Sequence, residues 1–182
     1  MLNVSDNKNN NPYIKLEDYK SFDYEIPNIF LDFIIEDKRV IVKTELKLIK
    51  KNININSLIL DGIDIFVEKI YLDESILEEN KYSIQKNRLL IKPILKETFT
   101  LNIVGTIKPK ENFSLLGMYE SNGIITTQCE AEGFRRISYH SDRPDILSKY
   151  KVRIEANKEK YPVLLTNGNL IKANDLENKR HE

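Results

Sequence analysis

Gln128 and Glu130 flank the single cysteine of this chain, Cys129, within the run TQCEAEGFRR from Thr127 to Arg136. On an extended strand side chains alternate faces, so residues two apart point the same way with Cα atoms about 6.6 Å apart. A Gln and a Glu so placed offer a neutral carbonyl acceptor and a carboxylate, the pair that suits a primary ammonium with its three donors and positive charge. Taken alone, a Gln-x-Glu pair is usually just the solvated face of a strand. Cys129 would point the other way. No neighbouring base or cation marks it as a nucleophile, and its expected role is a small apolar side chain packed behind the acceptors.

Other candidate groups carry less. His140 and His181 are the only histidines, and neither stands in a metal-ligand spacing such as H-E-x-x-H, so no zinc site is expected within the chain. Ser138, Ser141 and Asp142 around His140 invite comparison with a nucleophilic triad, but triads are defined by geometry and have no fixed local spacing. Arg135, Arg136, Asp142, Arg143 and Asp145 form a mixed-charge cluster with Pro144. Arginine forks on carboxylates would stiffen the loop that carries Glu130.

The elements that must position these groups are strands. Val40, Val42, Thr44, Leu46 and Leu48 alternate with Lys43, Glu45 and Lys47, the clearest half-buried strand in the chain, and Asn28 to Ile35 before it completes a hairpin. Leu58 to Leu60, the Asp61-Gly62 pair and Ile63 to Val67 read as a second hairpin. Tyr82 to Ile84, Arg88 to Lys92, Thr98 to Ile107 and Lys149 to Ala156 add strands, and Val163 to Thr166, Asn167-Gly168 and Leu170-Ile171 read as a last hairpin. Single helical turns are expected at Glu74 to Glu79 and Asp145 to Lys149. The fold class is therefore all-β, an antiparallel β-sandwich or saddle of about ten short strands with little helix.

The totals agree with one folded domain. At 182 residues, with 41% hydrophobic residues and only six glycines and six prolines, the chain can bury a core. Lysine plus arginine equal aspartate plus glutamate at 28 each, so the basic footprint of a nucleic-acid binder is missing. No apolar run approaches the ~20 residues of a membrane span. One cysteine allows no internal disulfide and no secretion signal is evident, from which a soluble, cytoplasmic protein is expected. Residues 1–12 are polar and asparagine-rich and read as a flexible tail ahead of a domain over 13–182.

Five segments, LLGMY, TQCEAEGFRR, DRPD, VRIEA and YPVLLTNGN, stand in that order between Leu115 and Asn169. In them the chain resembles the amino-terminal domain of the aminopeptidase N (alanyl aminopeptidase) family of zinc metallopeptidases, with weaker similarity from Tyr13 to about Asn178. The resemblance implies that Gln128 and Glu130 hold the free α-amine of a peptide substrate. It implies a downstream catalytic domain of the same polypeptide, carrying H-E-x-x-H, G-x-M-E-N and a transition-state tyrosine, with zinc bound outside this chain. The chain alone would then be inactive as a peptidase. The competing expectation is an autonomous β-sandwich module that binds a protein or a glycan.

Overall fold

The computed structural model describes residues 15–182; the tail expected over 1–12 lies outside them. Among the described residues thirteen strands run in chain order: β1 (Tyr24–Ile35), β2 (Val40–Lys50), β3 (Leu58–Asp61), β4 (Phe66–Leu72), β5 (Ser75–Ile76), β6 (Tyr82–Gln85), β7 (Arg88–Ile91), β8 (Thr98–Ile107), β9 (Gly117–Ser121), β10 (Ile124–Gln128), β11 (Lys149–Asn157), β12 (Asp175–Leu176) and β13 (Arg180–His181). Among the described residues the only helical pieces are four single 3-10 turns. The chain is all-β, as its alternation predicts.

The main sheet has eight strands in the order β12-β13-β11-β1-β2-β8-β4-β5. β2 and β8 are its centre, paired antiparallel without interruption from Val40↔Ile107 to Ile49↔Thr98. Their inward residues, Val42, Leu46, Leu48, Phe99, Leu101 and Ile103, are buried and form the middle of the core, each contributing about 1.5–3 kcal/mol by leaving water. β1 enters the same core through a defect. Tyr24 and Ile26 point inward, and so do Ile29, Leu31, Phe33 and Ile35, which is a change of parity that needs one extra residue. The register against β2 shifts there, between Glu25 and Asn28. Pro27 occupies the shift, a position where a missing N–H costs no ladder bond.

One pairing departs from the antiparallel expectation. β11 lies parallel to β1, from Asn28↔Lys149 to Ile34↔Glu155. Asp32, buried on β1, accepts from Arg153 of β11 at 2.8 Å, and Arg153 also reaches Glu155 and Glu182, while Arg180 reaches Glu155. This chain of arginines and carboxylates ties β1, β11 and β13 together.

β3, β7 and β6 form a separate three-stranded sheet and the β9–β10 hairpin a third. The expected Asp61-Gly62 hairpin is therefore corrected: β3 pairs with β7, whereas β4 belongs to the main sheet beside β8. Gly62 serves close approach instead. A Cβ on it would stand 2.2 Å from the Tyr139 ring, and its amide donates to the Asn87 carbonyl at 2.9 Å. The hairpin expected over 163–171 is also not formed, and residues 161–174 carry no strand. At Asp145 to Lys149 no helical turn forms, a turn at Pro144-Asp145 leading on to β11, and Glu74 to Glu79 is taken up by β5 and the approach to a 3-10 turn at Glu79–Lys81.

Candidate functional site

The acceptor-bearing run continues out of the β9–β10 hairpin. Ser121↔Ile124 to Gly117↔Gln128 pair in register, closed by Asn122-Gly123 with φ values of 49° and 79°. Two successive positive φ angles match the right-handed twist of the flanking strands. The ladder stops at Gln128, and residues 130–133 turn into a 3-10 turn at Phe134–Arg136. Gln128 and Glu130 thus do not share the face of one continuous strand: Glu130 stands on the turn. The cause lies further along the chain. The Gly133 amide donates to the Cys129 carbonyl at 2.7 Å, and a Cβ at Gly133 would stand 2.4 Å from the Gln128 carbonyl oxygen, so the backbone must fold back just where the strand ends.

The turn still couples the two residues. Gln128 Nε2 donates to the backbone carbonyl of Glu130 at 2.9 Å, which fixes the side-chain amide and leaves its Oε1 as an acceptor. Neither this oxygen nor the Glu130 carboxylate has a hydrogen-bond or ion-pair partner among the described residues, and both residues are exposed. Cys129 between them is half-buried against the core. Burial, with the nearby Asp142 charge, pushes its thiol up from the ordinary value, which disfavours the thiolate and a nucleophilic role.

Arg135 holds the turn from behind. Its backbone amide and Nε both donate to Asp142 Oδ2, at 3.1 and 3.0 Å, and its Nη2 reaches the Asp142 carbonyl at 3.1 Å and Glu132 Oε1 at 3.3 Å. Its carbonyl accepts from the Ile63 amide at 2.7 Å, and Arg136 pairs with Asp64 on the same β3–β4 loop. Arg143 forks onto both oxygens of Asp145, at 2.8 and 2.7 Å, and donates to the Lys20 carbonyl at 2.8 Å. Tyr19 adds an O–H donor to Asp145 at 2.6 Å. The Arg143 guanidinium holds the Asp145 carboxyl well below the usual range. The cluster therefore does the structural work expected of it, and also secures the segment ahead of β1.

The residues around His140 do not make a triad. Thr44 and Ser138 share a hydroxyl–hydroxyl hydrogen bond, Asp142 is taken by Arg135, and neither ring nitrogen of buried His140 has a partner among the described residues. The ring packs edge-on to Phe134 at 5.1 Å, and its backbone is clamped to Asp61 by two hydrogen bonds of 2.8 and 3.0 Å. Burial pushes its pKa down to about 4.

Comparison with known proteins decides the family. The family model described as the Peptidase M1 N-terminal domain matches residues 27–182. The chain belongs to the peptidase M1 N-terminal domain family. This M1 domain is 39% identical over 165 residues to aminopeptidase N of Haemophilus influenzae and 37% identical over 164 residues to aminopeptidase N of Escherichia coli, covering 91% and 90% of its own length. It covers 19% and 18% of theirs, about a fifth of the relatives it matches. The crystal structure of Legionella pneumophila aminopeptidase A in complex with aspartic acid superposes with a TM-score of 0.85 at 38% identity, over 92% of this chain and 20% of that one. An M1 zinc metallopeptidase of Deinococcus radiodurans shares the fold alone, with a TM-score of 0.62 at 14% identity over 74% of this chain and 33% of that one.

Among the described residues no three His, Cys, Asp or Glu side chains gather in a metal-holding group. His140 is enclosed by the core and His181 Nε2 is engaged by the Tyr161 carbonyl at 2.8 Å. What sequence reasoning missed is the hairpin that delivers Gln128, although Asn122-Gly123 between two β-forming runs was a usable signal for it. The Ile63 and Asp64 contacts to the turn had no local signal at all.

Proposed function

We propose that this chain is the non-catalytic, amine-anchoring domain of a zinc-dependent aminopeptidase that releases amino-terminal residues from peptides. In this reading the zinc and the catalytic groups lie on a downstream domain of the same polypeptide, and the chain alone hydrolyses nothing. Gln128 Oε1 and the Glu130 carboxylate receive the ammonium of the substrate, whose pKa near 8 leaves it largely charged at neutral pH. Fixing that end places the first peptide bond over the distant metal, a proximity effect. A single half-buried thiol without a disulfide partner is in keeping with a cytoplasmic setting.

The observation that carries the reading is the Gln128 Nε2 bond to the Glu130 carbonyl, which leaves two exposed acceptors of the right types unengaged where β10 ends and the braced turn begins. Hydrogen bonds to charged groups are worth about 1.5–3 kcal/mol each. Glu130→Ala in the full-length enzyme should therefore lower kcat/KM for amino-acid anilides about 10- to 150-fold while zinc content is unchanged. Wild-type turnover by that variant would remove Glu130 from amine recognition.

A further inference from the structure

Between β11 and β12, residues 161–174 cross the surface without secondary structure. The run YPVLLTNGNLI from Tyr161 to Ile171 contains no charged residue in a chain that is 31% charged. Tyr161 and Leu164 pack on the core, so the run is seated on one side. On its other side Val163, Leu165, Leu170 and Ile171 are 68%, 82%, 81% and 83% exposed. Its backbone is equally unmatched: among the described residues, the one hydrogen bond donated by an amide of 162–173 runs from Gly168 to Thr166 Oγ1, at 3.0 Å. Such a run has the side chains and the turn of a hairpin, but its two arms find no partner in this domain.

Two of the flanking charges are already used. Lys158 pairs with Asp175 and Lys160 with Asp37. What is left is apolar surface with free main-chain groups and depleted charge, the composition of an interface centre. The family match runs through this segment to residue 182, so it is a regular part of the domain. The relatives extend to about five times the matched length.

We propose that residues 163–171 are the seat on which the downstream part of the longer polypeptide docks in cis, through an apolar surface that also supplies partners for the free backbone groups. The inference rests on the reading that the polypeptide continues into a downstream domain, and not on the role given to Gln128 and Glu130.

The test is hydrogen exchange, read by mass spectrometry, on the complete gene product. Amides of 163–171 should exchange at least ~100-fold more slowly than an unstructured peptide, as covered and hydrogen-bonded amides do, at any protein concentration. Leu165→Glu with Ile171→Glu should abolish that protection and open the segment to limited proteolysis. Protection of β2 and β8 should be unchanged, which verifies that the domain still folds. Unprotected amides at 163–171 in the wild-type product would overturn the proposal. So would protection that disappears on dilution, which would assign the seat to a second copy, or protection that survives the double charge substitution.

Discussion

Lowering the pH from 7 to 4.5 should destabilise this domain through one side chain. His140 is 4% exposed and both ring nitrogens lack hydrogen-bond partners among the described residues. Burial disfavours its charged form more than Asp142, the Ser141 backbone and Asp61 favour it, and its pKa falls to about 4 against an ordinary 6.5. The unfolded chain, with the ordinary value, therefore takes up the proton first as the pH falls. Stability is complete above about pH 6.5 and is lost progressively down to about pH 4. At about 1.4 kcal/mol per pH unit the whole loss is about 3 kcal/mol, most of it reached by pH 4.5, against a total of about 5–15 kcal/mol for a typical domain. Carboxylates held below their ordinary values, such as Asp73, Asp145 and Glu155, begin to lose their share only towards pH 4.5 and lose most of it below, so His140 carries the larger part of the interval. Urea unfolding followed by tyrosine fluorescence suits a chain with nine tyrosines and no tryptophan. With an m-value of about 2 kcal/mol/M the midpoint should fall by about 1 M. His140→Leu, which cannot titrate, should flatten this dependence. An unchanged pH slope in that variant would refute the assignment.

Three further outcomes are expected. Arg135→Ala should cost about 3 kcal/mol in denaturant unfolding because it strands Asp142, whereas Arg135→Ala with Asp142→Ala should cost clearly less than the two single changes summed; strict additivity would deny the coupling. Gly62→Ala should destabilise by about 1–3 kcal/mol, since the added methyl meets the Tyr139 ring, and a companion Tyr139→Ala should remove that clash so that the Gly62→Ala cost shrinks in its background. Cys129, with its thiol pKa raised, should react with iodoacetamide at pH 7 more slowly in the folded chain than in urea, with alkylation timed by mass spectrometry; equal rates would show the thiol is not shielded.

Strand content was legible because β2 and β8 alternate cleanly and their apolar faces meet in one core. The parity change at Pro27 was not, since a bulge is defined by the partner strand and leaves no mark beyond the proline. Asp61-Gly62 misled for a related reason: the residue pair that suits a tight turn also suits a backbone pressed against an aromatic ring, and only Tyr139, far along the chain, tells the two apart. At the site, the residue types of Gln128 and Glu130 and the bracing role of the arginines were readable, while the end of the strand between them depends on Gly133 folding back. Val163 to Ile171 shows the converse case, a local hairpin pattern that lacks the surface it needs within the described residues.

The parallel seam between β1 and β11 has a bearing on how the chain is made. β2 follows β1 directly and covers one of its edges early in synthesis, but the other edge stays bare until Lys149 to Glu155 have left the ribosome. For most of its translation the nascent polypeptide thus carries an open row of amides and carbonyls beside a largely apolar strand, the kind of template that neighbouring chains can zip onto.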